Sequence, residues 1–310
     1  MQRVHFISIG GVAMHNLAIA ISKKNNFQVT GSDDEIADPI LIRLKENNLL
    51  PDKMGWFTEK ISKNLSGVII GQLTKSDNPE LVRAKELGLK IYSFPEFIYQ
   101  QTRSKTRIVI SGSHGKTTII AMILFVLKKL RMDADYMINN QIEGYENQVK
   151  LTYDSRIAVL EGDVFQTSPI DMRPKFHLYK PHIAVLTGIE MVSEEKSSTV
   201  ENYVEPFQKF TDLMEIQGRL IYFDGDEKLN AICHTLRRDI VSFPYNIHEN
   251  VIQDGITYLV TKKANIPLKI SGDYNLQNLN AARLACRQIG ISDDQFYSII
   301  TDFQGISKTN

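Results

Sequence analysis

The chain has 310 residues, and its 36 Lys plus Arg balance 36 Asp plus Glu, so no broad basic surface for nucleic acid or anionic lipid is implied. Hydrophobic residues make up 43% and charged residues 23%, the balance of a globular protein long enough for two domains. Cys233 and Cys286 stand in no Cys-x-x-Cys pair, the N-terminus is too short and polar for a signal peptide, and no apolar run approaches the ~20 residues of a membrane span. A disulfide framework, a zinc site and membrane insertion are therefore not expected, and a cytoplasmic setting is.

In chain order, strand and helix patterns alternate. Residues 4–9 read as a strand closed by Gly10-Gly11, 12–23 as a helix, and 27–30 as a strand closed by Gly31-Ser32-Asp33. A helix over 39–47, a strand over 67–70, a helix over 79–87 and a strand over 89–92 follow. Such βα repetition predicts a parallel sheet with right-handed crossovers. The polar stretch 100–106 reads as a linker. A second α/β unit opens with a strand over 107–110 and a helix over 118–130, with further strands over 157–160, 182–187 and 220–223. Residues 240–270 alternate and carry turn signals, which predicts antiparallel strands, and 275–289 and 293–303 read as closing helices. The fold class expected is α/β: a Rossmann-like N-terminal domain over 1–103, then a domain over 104–310 that opens on a Gly-x-x-Gly-Lys-Thr loop between strand and helix and so reads as a P-loop α/β ATPase-like domain.

The sharpest chemical signal is Gly112-Ser113-His114-Gly115-Lys116-Thr117-Thr118. It lies between a strand and a helix, where backbone N–H groups and the helix dipole converge on one point. Lys116 can add a full charge between phosphates and the Thr117 hydroxyl can ligate Mg²⁺, so a nucleoside triphosphate site is expected. The loop is a short Gly-x-x-Gly-Lys-Thr, with Ile110 where the usual phosphate loop has its first glycine. Leu160-Glu161-Gly162-Asp163 ends an apolar strand; Glu161 is the expected Mg²⁺ ligand, with Asp163 in support. Gly10, Gly11 and Asp33 form a partial Rossmann arrangement, in which Asp33 would accept from a ribose or base, with Gly31-Ser32-Asp33-Asp34 as a simple turn the competing reading. Asn275 and Asn278, three apart on one helix face, could read an adenine edge, with helix capping by Asn275 the competing reading. His177 and His182 are expected to be structural and Cys286 to lie in the core.

Together these residues resemble the Mur ligases, in the branch of the UDP-N-acetylmuramate–alanine and muramyl-tripeptide recycling ligases. The resemblance rests on His5-Phe6-Ile7-Ser8-Ile9-Gly10-Gly11, Thr30-Gly31-Ser32-Asp33, the Gly112 to Thr118 loop, Glu161-Gly162-Asp163, Pro181-His182-Ile183-Ala184-Val185-Leu186-Thr187 and Asn275-x-x-Asn278, in that order along the chain. It implies ATP-dependent amide-bond formation through an acyl phosphate in peptidoglycan synthesis or recycling. By the same resemblance Lys116 and Glu161 are catalytic, Thr117 and Glu161 hold Mg²⁺, and Gly112, Ser113, His114, Gly115, Lys116, Thr117, Thr118, Asn275 and Asn278 bind ATP. Gly10, Gly11, Ser32 and Asp33 would lie at the UDP end of a UDP-N-acetylmuramate-type ligand.

Three departures from the family pattern predict impaired ligation by this chain alone. The family's Asp-His pair after the strand at 183–187 is replaced by Gly188 to Glu195, with Ser193 near the expected His. Glu-x-Asp-Glu becomes Glu161-Gly162-Asp163-Val164, and the His before the first adenine-side Asn is Tyr274. The chain ends in sequence that resembles the approach to the third, C-terminal domain, so that domain is expected to be absent here: supplied by a separate chain, lost naturally, or cut away if this chain is a truncated product of a longer enzyme. The alternative expectation is a non-catalytic nucleotide-binding or cell-wall-precursor-binding protein derived from a ligase. The polar tract 193–199 is expected to form a mobile loop at the site.

Overall fold

The computed structural model describes residues 1–168, 170–190 and 200–306, so the tract 193–199 and the position of Ser193 lie outside the described residues. The first unit runs β1 (Gln2–Ile7), α1 (Val12–Ser22), β2 (Phe27–Ser32), α2 (Ile40–Glu46), β3 (Gly67–Ile70), α3 (Pro79–Glu86), β4 (Ile91–Ser93) and α4 (Phe94–Thr102). Its four strands are all parallel, in the order β2-β1-β3-β4. This is the Rossmann-like sheet that the βα repetition predicts.

The second unit runs β5 (Thr106–Ser111), α5 (Lys116–Lys129), β6 (Ala134–Met137), β7 (Val149–Lys150), β8 (Ile157–Glu161), β9 (Gln166–Ser168), β10 (Asp171–Pro174), β11 (Ile183–Leu186), α6 (Val200–Asp212), β12 (Arg219–Phe223), α7 (Glu227–His234) and β13 (Val241–Tyr245). The small antiparallel sheet β14 (Asn250–Gln253), β15 (Ile256–Val260) and β16 (Asn265–Pro267) follows, and α8 (Asp273–Gln288) and α9 (Asp293–Ile300) close the described chain. The large sheet has the order β13-β12-β11-β5-β8-β6-β7, parallel except for β7. Side chains on β5 and β11 alternate between two apolar cores: Ile108, Ile110, Ile183 and Val185 face one, Val109, Ala184 and Leu186 the other. A parallel sheet covered on both faces needs such near-continuous apolar strands. Helix α5 is apolar almost all round and correspondingly buried, from Ile119 to Leu127 apart from Phe125.

Two expectations are corrected. Residues 100–102 are not linker but the end of α4, which starts at a Ser93–Glu96 capping box and buries Phe94, Phe97 and Ile98. The polarity of Gln100 and Gln101 belongs to the outer face of a helix. Within 240–270 only β14 to β16 are antiparallel; β13 extends the parallel sheet beside β12, because the preceding helix α7 provides a crossover.

The units are joined by specific polar contacts. Arg107, fully buried on β5, donates to the carbonyls of Thr102 and Arg103 at the end of α4, to those of Tyr179 and Lys180, and to Glu215 at 2.5 Å. One side chain thus satisfies helix-end carbonyls that would otherwise be orphaned. On α1, Asn16 Nδ2 donates to Gln148 Oε1 at 2.9 Å and Asn16 Oδ1 accepts from the Gln148 N–H at 3.2 Å. Arg43 donates to His15 Nε2 at 2.9 Å and to Asn147 Oδ1 at 2.9 Å. Because guanidinium only donates, His15 carries its proton on Nδ1, which donates to the Gly11 carbonyl at 3.0 Å.

Candidate functional site

Strand β5 lies at the centre of the large sheet, flanked by β11 and β8, and the C-terminal ends of all three converge. This crevice is where open α/β sheets place their ligands. The loop after β5 turns back through two left-handed glycines, Gly112 (φ +124°) and Gly115 (φ +78°). A side chain on Gly112 would meet the Thr187 nitrogen at 2.8 Å, and one on Gly115 would run into the Asn278 side-chain oxygen. Only glycine permits this approach at either position. The second contact brings Asn278, from α8, directly against the N-terminus of α5.

Lys116 Nζ donates to the Gly112 carbonyl at 2.7 Å, so its ammonium already lies over the loop. Thr117 Oγ1 donates to Glu161 Oε1 at 3.1 Å, and Glu161 Oε2 accepts from the Asn139 N–H at 2.9 Å. Glu161 is only 2% exposed. Burial pushes its carboxyl above the ordinary range; the Asn139 N–H, the Lys116 charge and the Thr117 hydroxyl oppose that shift, and Asp163 reinforces it. Among the described residues, the buried hydroxyls of Ser111 and Thr187 have no hydrogen-bond partner. A nucleotide phosphate with Mg²⁺ fits this donor set: a cation, helix-terminal N–H groups, an alcohol touching a buried carboxylate, and two unused hydroxyls.

The other expected residues are placed less uniformly. Asp163 lies 3.4 Å from Lys175 Nζ and accepts from the Phe165 N–H, turned to this pair rather than to Thr117. His114 is exposed, with Nε2 2.8 Å from Glu190 Oε2. Ser113 donates its N–H to the Gly188 carbonyl at 3.0 Å, while its Oγ accepts from the Glu190 N–H at 2.7 Å. Thr118 lies in the first turn of α5. Asn275 is not a helix cap, since α8 is capped at Gly272; its amide donates back to the Ser271 carbonyl at 2.8 Å.

In the first unit, Gly10 and Gly11 line a cavity of about 730 Å³ between the two units, with Asp33, Trp56 and Asn78 on one side and Met137, Asn139 and Gln148 on the other. Asp33 holds the glycine turn: its carboxylate accepts from the Gly10 N–H at 2.7 Å and from the Asp34 N–H at 3.0 Å. Burial raises its pKa from 3.8 to about 6, with the Asp34 carboxylate adding to the effect. Ser32 is fully buried against Lys60 Nζ (3.1 Å) and does not line the cavity. His177 and His182 hold structural partners, the Pro206 carbonyl and the Arg107 N–H, and Cys286 is buried in the core. Among the described residues no three metal-ligating side chains cluster, and no helix is long and apolar enough to cross a membrane.

Sequence reasoning missed Asn139, Asn140 and Gln148. Asn140 Nδ2 reaches Thr117 Oγ1 at 3.4 Å, and the polar Asn139-Asn140-Gln141 run straight after an apolar strand was the available signal.

A mainly parallel sheet carrying a Gly-x-x-Gly-Lys-Thr loop at its central strand, with a Rossmann-like unit docked across the same edge, defines the class of P-loop α/β proteins with an appended Rossmann-like unit. Family models narrow this: the Mur ligase middle domain matches residues 110–286, and the Mur ligase family catalytic domain matches residues 3–106. The chain belongs to the Mur ligase family. It is 26% identical over 319 residues to the UDP-N-acetylmuramate–L-alanine ligase of Carboxydothermus hydrogenoformans, covering 99% of this chain and 66% of that protein. The enzyme of the same name from Clostridium botulinum (strain Okra) is 26% identical over 94% of this chain and 63% of its own length. The chain thus spans about two thirds of the length of these curated relatives. The same fold occurs in the UDP-N-acetylmuramate:L-alanyl-gamma-D-glutamyl-meso-diaminopimelate ligase of Neisseria meningitides, with a TM-score of 0.86 and 20% identity over 99% of this chain and 100% of that one. It occurs too in a murein peptide ligase of Psychrobacter arcticus, with a TM-score of 0.82 and 20% identity over 99% of this chain and 69% of that one.

Proposed function

We propose that this chain binds ATP–Mg²⁺ at the Gly112 to Thr118 loop and a UDP-N-acetylmuramate-type ligand in the cavity between the two units. The reaction class is that of its family, ATP-dependent amide-bond formation through an acyl phosphate in peptidoglycan synthesis or recycling. The observation that carries the reading is the contact of Thr117 with buried Glu161 at the sheet edge, beside Lys116 and within one residue of the cavity wall at Asn139. Thr117 and Glu161 would hold Mg²⁺, which when bound neutralises charge on phosphate oxygens. Lys116 supplies a second positive charge, and the α5 N–H groups orient phosphate. Asn278 lies against the loop where it can limit the base end, and Asn275 is one turn away on the same helix face. Gly10, Gly11 and Asp33 shape the far end of the cavity, with Ser32 supporting from behind.

Ligation by this chain alone is proposed to be weak. The carboxylate at Asp163 faces Lys175 Nζ and the Phe165 N–H rather than Thr117, so it is poorly placed to replace the family's missing carboxylate. Calorimetry with ATP–Mg²⁺ and with UDP-N-acetylmuramate, with phosphate release measured in the same samples, tests the reading. Binding of both ligands is expected, with slow phosphate release. No heat and no melting shift at millimolar ATP would overturn it, and Lys116→Ala is expected to abolish the ATP effect.

A further inference from the structure

Two ligand regions sharing one crevice need not sense each other, and what connects them here is a short chain of hydrogen bonds. The Gln148 amide spans the junction. Its Oε1 accepts from Asn16 Nδ2 at 2.9 Å, and its Nε2 donates to the Asn139 carbonyl at 3.2 Å. Asn139 in turn donates its N–H to Glu161 Oε2 at 2.9 Å, and Glu161 Oε1 accepts from Thr117. Asn16 sits in the first turns of α1, directly after Gly10 and Gly11, and its own Nδ2 also donates to the Val12 carbonyl at 2.8 Å. Both hydrogen-bonding ends of the Gln148 side chain are therefore used, one by each unit. Gln148 and Asn139 line the cavity themselves, so a ligand there touches the relay.

Resting on the reading of the site given above, we infer that Gln148 is a positioning residue that couples the two halves of the crevice. It fixes Asn139, which orients the buried carboxylate of Glu161 toward Thr117, while Asn16 ties Gln148 to the glycine turn of the first unit. An outer residue that orients a metal-binding carboxylate typically changes metal affinity 10–100-fold, roughly, when removed. If a ligand in the cavity firms this relay, each ligand binds more tightly in the presence of the other, by the same factor in both directions.

The test is calorimetric, on the full chain. The Mg²⁺ dependence of ATP binding is measured with and without saturating UDP-N-acetylmuramate, in wild type, Gln148→Ala, Gln148→Glu and Asn16→Ala. Gln148→Glu is nearly isosteric and still accepts from Asn16, but cannot donate to Asn139. Both Gln148 variants are expected to weaken ATP binding about tenfold with Mg²⁺ present and to leave Mg²⁺-free ATP binding unchanged, because the loop is intact. Asn16→Ala is expected to keep Mg²⁺-dependent affinity and to lose most of the enhancement by UDP-N-acetylmuramate. A merely structural role would lower melting temperature and both forms of ATP binding together. Gln148 variants that bind ATP–Mg²⁺ as wild type does, with the enhancement unchanged, overturn this inference alone. A wild type that binds neither ligand overturns the functional reading beneath it.

Discussion

Glu161→Gln separates what the site costs the fold from what it does. Glu161 is nearly fully buried and, among the described residues, has no cation within ion-pair distance; Lys116 Nζ rests on the Gly112 carbonyl instead. The substitution keeps both hydrogen bonds. The Asn139 N–H can only donate, so the Gln oxygen must face it, and the Gln amide then meets Thr117 Oγ1, which can turn to accept. What disappears is a buried, incompletely compensated charge, worth about 1–3 kcal/mol or more, against an attraction to Lys116 on the order of 1 kcal/mol. The net expectation is a ligand-free variant more stable by about 1–2 kcal/mol. At this chain length that raises the melting temperature by roughly 1.5–3 °C. Differential scanning calorimetry at pH 7.5 gives the first number. Repeating the scan with ATP and Mg²⁺ gives the second: wild type gains stability from Mg²⁺ beyond that from ATP alone, and the variant does not. A ligand-free variant that melts at or below wild type would refute the account of a strained carboxylate. An undiminished Mg²⁺ effect would refute its role as ligand.

Other expectations follow from the same geometry. Gly115→Ala forces a left-handed alanine, at about 1–2 kcal/mol, and drives its methyl into Asn278; adding Asn278→Ala should recover part of the loss in a double-mutant cycle, and strictly additive melting shifts would contradict the contact. Asp33, raised from 3.8 to about 6, keeps a proton in the folded chain that the unfolded chain releases near 4. The folded state therefore binds more protons between those values, and stability should decline as pH rises through 6 and level off above it. Denaturation midpoints from pH 4 to 8 for wild type and Asp33→Asn check this, since the variant should lack that step. Glu190→Ala breaks an exposed pair with His114 and should change stability by less than about 0.5 kcal/mol; a larger loss by urea denaturation would mean that the pair organises the loop.

Much of the fold was legible because its determinants are local. The run Arg107 to Thr118 joins an apolar strand to a glycine turn and a helix, and each part has its own short-range cause. Thr117 and Glu161 were readable as partners because both stand at C-terminal ends of parallel strands or just beyond them, where sheet topology alone converges them. Helix α4 was hidden because Gln100 and Gln101 look like a linker unless the Ser93–Glu96 box is counted first. Asn139 and Gln148 were hidden for a different reason. They act through a backbone N–H and an amide side chain across units, and contacts between residues 16, 139, 148 and 161 leave no mark in sequence spacing.

The ammonium of Lys116 resting on the carbonyl of Gly112 gives the loop a threshold. An anion that approaches does not meet a free cation; it must outcompete an internal partner that is already in place at 2.7 Å. A singly charged ion gains little from that exchange, whereas a polyphosphate brings several charges and fills the surrounding N–H groups as well. On the function proposed above, such a loop is expected to pass over most small anions and to answer to the few molecules whose charge is dense enough to draw the lysine away.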